Sequence, residues 1–316
     1  MRGTTESVIT HPLSAEDAPI AAGIRALVSS SKGVRVGVEA RGQYDALMEG
    51  VLARDDVGFQ EGTLGGIRGV WVRPADCSPD AAIVHMHGGW FNFGSARAYR
   101  HLAGHIAARA GANAFIPDYR LAPEHPFPAA IEDVLSCYRG LTDAGIRTVA
   151  LTGDSAGGNL ALTVASQVTE KTDLTNTNLV GVAVFSPVTD LTLSGASYVT
   201  RADADPLFTR QQVSALVRAY LGDIDPTHAL ASPLFTRKSN MPPVRIHVGD
   251  DEVLLDDSLR YVDSSVAAGV DARVDVWMGM PHGFIGSIGK LAAAAQALDA
   301  VGGFLSERFR DTRGRG

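Results

Sequence analysis

The chain is short of cysteine, short of positive charge and lacks any long apolar run. Only Cys77 and Cys137 occur in 316 residues. Two cysteines do not make a disulfide framework, so a hydrophobic core must hold the fold. Neither carries a local nucleophile signature. Cys137 falls in an expected helix and reads as a small core residue. Lys and Arg number 28 against 35 Asp and Glu, a net charge of −7. That balance argues against a general nucleic-acid or anionic-membrane surface. No apolar run is long enough to span a bilayer, and the first residues, Met1 to Ser7, lack a signal core. A cytoplasmic location is therefore the default expectation. The histidines assemble no metal set: His85 and His87 alternate on a strand, and His101 and His105 lie four apart without the glutamate of a metalloprotease helix. Neither metal nor cofactor is expected. Repeats and low-complexity segments are missing, and the basic tail from Arg308 to Gly316 reads as a frayed end.

Hydrophobic residues make up 45% of the chain, enough for one large core and a small accessory layer. The most informative segment is Gly153-Asp154-Ser155-Ala156-Gly157. An apolar run, Thr148 to Thr152, enters it, and a helix-prone run from Asn159 to Gln167 leaves it. Strand, sharp turn and helix are the context of a nucleophile elbow, in which small flanking residues let a strained serine stand above the sheet. Upstream, Ile83 to Met86 reads as a buried strand running through His87 into Gly88-Gly89-Trp90. Glycines allow close approach of backbone N–H groups to an oxyanion. Gly88, Gly89 and Ala156 are the expected oxyanion-hole donors, with His87 bracing the loop. Downstream, an expected strand at 243–248 leads into the acidic run Asp250-Asp251-Glu252, with Asp256 and Asp257 following. Another at 271–277 precedes Met280-Pro281-His282-Gly283. The order serine, acid, histidine is that of an α/β-hydrolase.

Apolar runs alternate with helical stretches from Ala81 onward. Strands are expected near 81–87, 112–116, 147–152, 179–185, 243–248 and 271–277, and helices near 96–110, 128–142, 156–168, 255–268 and 290–308. A hairpin spans Phe59 to Arg73, turning at Gly65-Gly66. The fold class is α/β, with a mostly parallel sheet flanked by helices and catalytic loops at its C-terminal edge. Residues 15–55 read as helices ahead of the sheet. Residues 190–240 interrupt the alternation and carry an amphipathic helix capped by Thr209 and stopped at Gly222.

Three motifs together resemble the bacterial hormone-sensitive-lipase-like esterases: His87-Gly88-Gly89-Trp90-Phe91-Asn92-Phe93-Gly94-Ser95, then Asp118 through Ala130, then Gly153 through Ala161. The resemblance implies an α/β-hydrolase core (56–189 and 241–316), N-terminal cap helices (1–55) and a cap insertion (190–240). It implies a carboxylesterase acting on short- to medium-chain acyl esters through Ser155, His282 and Asp251. It selects Asp251 from among the neighbouring acids, while Asp256 and Asp257 start the next helix. A homodimer is possible on the same ground. One departure stands out: the family usually has a third glycine where this chain has Trp90, whose ring would wall the substrate cleft or pack beneath the cap. Asp154 is a neighbour of the pocket and a structural acceptor. The same machinery would also serve lactones or natural-product acetyl groups. A non-catalytic binding protein is disfavoured because serine, acid and histidine are all retained, and Ser155 argues against epoxide hydrolases and dehalogenases, which carry Asp there.

Overall fold

Every one of the six residues from Ala81 to Met86 is buried, as are all six of Ala112–Pro117. Such runs satisfy a strand covered on both faces, not one with a wet face. The computed structural model describes residues 7–170 and 177–313. Its nine strands are β1 (Val8–His11), β2 (Val57–Leu64), β3 (Ile67–Pro74), β4 (Ser78–Met86), β5 (Ala112–Pro117), β6 (Thr148–Asp154), β7 (Asn178–Phe185), β8 (Val244–Gly249) and β9 (Ala272–Trp277). They form one sheet in the order β1-β9-β8-β7-β6-β4-β5-β3-β2. Only β3 runs against the rest. The helices are α1 (Asp17–Ser29), α2 (Arg41–Glu49), α3 (Arg100–Ala110), α4 (Ala129–Asp143), α5 (Ala156–Glu170), α6 (Ser197–Thr200), α7 (Arg210–Leu221), α8 (Leu255–Ala267) and α9 (Ala292–Arg313).

Strand alternation divides the core in two. Val149 and Leu151 of β6 face one cluster with α4 and α5, while Ala150 faces the other with α3 and α9. The expected hairpin is β2–β3, with Leu64 opposite Ile67 across Gly65-Gly66. Differences from the expected elements have local causes. Four residues were too short a signal for β1, which pairs with β9 and ties His11 to Asp275 at 2.8 Å. Helix α3 begins at Arg100 rather than 96, because Asp118 and Ser95 hold the N–H groups of Ala96 and Ala98 in a turn. The tail does not fray through Arg313: α9 continues that far with Phe309 buried, and residues 314–316 lie outside the described residues. The buried carboxylate of Asp17 accepts from Ala292 and Ala293 N–H, placing an anion at the positive end of α9.

The N-terminal helices and the segment between β7 and β8 touch each other. Gly33 N–H donates to Leu207 O, Lys32 reaches Ala202 O, and Gln212 Nε2 donates to Arg35 O. Thr209 caps α7 as expected, accepting from Gln212 N–H.

The elbow depends on two close approaches. A Cβ on Gly157 would lie 2.0 Å from Met86 O, and one on Gly153 would lie 2.4 Å from the Gly157 backbone. Backbone cannot yield as a side chain does. Gly157→Ala is therefore expected to lose about 3 kcal/mol or more of stability, read from urea unfolding. An unchanged midpoint would show that α5 shifts away from β4 without penalty.

Candidate active site

Each chemically important loop leaves the C-terminal end of a strand. Ser155 follows β6, and its φ of 54° lies in the left-handed region. Two anchors hold that conformation: Ser155 N–H donates to Phe185 O at 2.8 Å, and Ser155 O accepts from Val188 N–H at 3.1 Å. A serine here is strained by roughly 1–3 kcal/mol, which the surrounding packing must offset.

His282 follows β9. Its Nδ1 lies 2.7 Å from Oε2 of Glu252, whose carboxylate is wholly buried. The other oxygen of Glu252 accepts from Ser186 Oγ and Gly249 N–H, both at 2.7 Å. Burial alone would push the His282 pKa down, but the charge and hydrogen bond of Glu252 outweigh it and raise it above the ordinary value of 6.5. The ring is also flanked edge-on by Phe208, with centroids 5.0 Å apart.

The expectation for Asp251 is corrected by this geometry. Its side chain turns away from the histidine and pairs with Arg25 of α1, while its N–H donates to Met280 O. Glu252, one residue on, turns inward. Its additional methylene carries the carboxylate under the His282 loop. Asp250 is engaged elsewhere, accepting from Gly279 N–H at 2.5 Å. Asp256 and Asp257 do open α8, and each accepts backbone N–H groups from the 189–197 segment.

The loop after β4 turns through three successive positive φ values, at Gly89 (117°), Trp90 (52°) and Phe91 (62°). Trp90 thus occupies a conformation that favours glycine, in keeping with the third glycine usual in the family it resembles. Its ring lines the cavity and meets Phe208 edge-on at 5.6 Å, so it both walls the cavity and packs against the 190–240 segment. His87 braces the loop as expected: Nδ1 lies 2.9 Å from Gly88 O, and the ring stacks on Tyr119 at 4.2 Å. Gly88 N–H leans on the carboxylate of Asp154 and helps to hold it charged. Gly89 lines the cavity, and Ala156 is the first residue of α5, where a helix leaves its N–H groups without intrahelical acceptors. Asp154 is the structural acceptor anticipated, taking a hydrogen bond from Tyr99 at 3.2 Å. Burial raises its pKa to about 6.

Ser155, His282, Gly89, Trp90 and Asp154 line one cavity of about 420 Å³, walled largely by apolar side chains of α1, α2 and α7. The sequence did not single out Tyr99, Ser186 or Phe208 as supports, since none carries a motif. Of the other histidines, His85 lies 2.9 Å from Thr152 Oγ1 and His105 lies 2.8 Å from Leu52 O. Among the described residues, no three His, Cys, Asp or Glu side chains are grouped to hold a metal. Among them also, no helix is long and apolar enough to cross a membrane.

A serine at a strained strand–helix turn, a histidine held by a buried acid and a glycine-bearing loop, all at one sheet edge, define an α/β-hydrolase. The profile of the alpha/beta hydrolase fold family matches residues 83–286, and the chain belongs to that family. An acetyl-hydrolase of Streptomyces hygroscopicus is 34% identical over 77% of this chain and 81% of its own. An esterase of Acinetobacter venetianus is 34% identical over 70% and 73%. Among crystal structures, an esterase from the bacterial hormone-sensitive lipase family is 32% identical, with a TM-score of 0.86 over 94% of this chain and 99% of that one. Esterase EstE5, soaked with p-nitrophenyl butyrate, is 33% identical with a TM-score of 0.85 over 92% and 99%. The chain is a member of the bacterial hormone-sensitive-lipase-like esterases, and it is a carboxylic ester hydrolase.

Proposed function

We propose that this chain is a serine carboxylesterase for short- to medium-chain acyl esters, working through Ser155, His282 and Glu252. The observation that carries this reading is the His282–Glu252 contact at 2.7 Å beside the cavity that Ser155 lines. Glu252 accepts a hydrogen bond from Nδ1–H and so fixes the tautomer, leaving Nε2 free as a base. Ser155 Oγ attacks the ester carbonyl as Nε2 takes its proton. The oxyanion is met by backbone N–H groups of Gly89 and Ala156, with Gly88 sharing its N–H with Asp154. The imidazolium then gives its proton to the departing alcohol, and an acyl-Ser155 ester remains. Water, deprotonated by the same nitrogen, releases the acid and restores the enzyme.

Helices α1 and α2 and residues 190–240 act as the cap in this reading, whereas β1 belongs to the sheet. The cap elements supply much of the apolar wall and set acyl length. The cavity volume of about 420 Å³ suits a short or medium chain. Hydrolysis of p-nitrophenyl acetate, butyrate, octanoate and palmitate tests the assignment. Rates should peak below octanoate and fall steeply at palmitate; a maximum at palmitate would refute the size limit. The name of the Streptomyces relative supports a second reading, deacetylation of a natural product by the same groups. A sharp maximum at acetate would favour it.

The base must be neutral to act. With the His282 pKa raised above 6.5, kcat/KM should climb with pH through a midpoint above that value. A titration of initial rates between pH 5 and 9 reads this directly, and a midpoint below 6.5 would contradict it. The linked stability has the opposite slope: the His282–Glu252 contribution is fully present below pH 6.5 and fades as pH rises through the folded pKa.

A further inference from the structure

The catalytic cavity has an unusual charge balance for an acidic protein. Among the residues lining it, the only carboxylate is Asp154, which is buried and bonded to Tyr99. Two cations, Arg35 and Lys290, line the same cavity from opposite parts of the chain. Neither side chain makes an ion pair, a hydrogen bond or a ring contact among the described residues. Most other arginines of this chain are engaged; Arg25, Arg41, Arg54, Arg120, Arg245 and Arg260 each meet a carboxylate. Arg35 is half-buried where it lines the cavity, and its charge acts on the buried phenol of Tyr44, which lines the same cavity. A half-buried guanidinium without a partner forfeits hydration and gains nothing in return until an anion meets it. Lys290, more exposed, stands where it would draw an anion toward the cavity.

We propose that the substrates of this esterase carry a carboxylate a few atoms from the scissile ester, and that Arg35, assisted by Lys290, binds it. The cavity then holds the two ends of one molecule: the ester carbonyl at Ser155 and the carboxylate at Arg35. The apolar lining of the cavity would then meet the short methylene bridge or small ring that joins the two groups. An oxygen-rich but neutral ester would leave Arg35 unpaired, and a plain fatty ester would press hydrocarbon against it.

This inference rests on Ser155 being the nucleophile, and the test separates the two. Two matched pairs serve: p-nitrophenyl pentanoate against mono-p-nitrophenyl glutarate, and propyl butyrate against 3-butyryloxypropanoate. They place the carboxylate on the acyl side and on the alcohol side in turn. The quantity read is the ratio of kcat/KM, anionic to neutral, so any general loss in a variant cancels. In the wild type one pair should favour the anionic member on the order of tenfold. That preference should shrink as salt is raised. It should collapse in Arg35→Met and weaken in Lys290→Met. A ratio at or below one in both pairs, or a preference that survives Arg35→Met, would overturn the proposal. No turnover of any of the four esters would instead count against the catalytic assignment itself.

Discussion

Ser155→Ala is expected to lower kcat on p-nitrophenyl butyrate by roughly 10⁵-fold while leaving the unfolding transition in place. The acyl-enzyme route needs an oxygen that attacks and then carries the acyl group, and alanine offers none. A residual rate above that of water should survive, because the N–H groups of Gly89 and Ala156 would still polarise a bound carbonyl. Removal of the serine should, if anything, relax the elbow slightly rather than unfold it, since the anchoring hydrogen bonds to Phe185 O and from Val188 N–H belong to its backbone. Phenylmethylsulfonyl fluoride should inactivate the wild type and leave the variant unmodified by mass spectrometry. Turnover within tenfold of wild type in Ser155→Ala would remove the nucleophile from the mechanism.

The second large effect separates two adjacent acids. Glu252→Gln should lower kcat about 10³- to 10⁴-fold, whereas Asp251→Asn should stay within about fivefold of the wild type. The asymmetry follows from where the carboxylates point. A glutamine at 252 can still accept from Ser186 and Gly249 through its oxygen. Its amide nitrogen would then face His282 Nδ1 and donate to it. That locks the tautomer in which Nε2 bears the proton, and the base is lost although the ring stays in place. Asp251 instead joins the acid loop to Arg25, which also reaches Ala204 O, so its loss loosens a partly exposed contact between α1, the 190–240 segment and this loop. Equal losses at both positions would mean that the Arg25 contact also positions Glu252. A larger loss at Asp251 would reverse the assignment.

The elements and the elbow that carries Ser155 were legible because their signals are local. Gly153 and Gly157 flank Ser155 where a Cβ would collide with backbone, and the apolar run before it and helix-prone run after it fix its setting. The buried strands β4 to β9 each announced themselves as short apolar runs between helical stretches. The His282 position followed from chain order after the last strand. Trp90 was recognisable as an oddity, although its role at the cavity wall was open until Phe208 was placed against it.

The choice of acid was not local. Asp250, Asp251 and Glu252 are three adjacent carboxylates, and a step of one residue in a loop redirects the side chain completely. Which of them meets His282 is decided by how the turn after β8 docks beneath the turn after β9, through Asp251 N–H to Met280 O and Gly249 N–H to Glu252. The cavity belongs to the same class of question. Arg35 and Lys290 are 255 positions apart in the numbering and carry no motif. Only the packing of the N-terminal helices over the sheet edge brings them to one wall. Residue order along the chain thus determined strands β2 to β9, the elbow and the serine at its tip, whose geometry depends on neighbours a few residues away. The tertiary structure alone decided which carboxylate meets His282, what supports it and which charges line the pocket, because those depend on side-chain direction across contacts between distant segments.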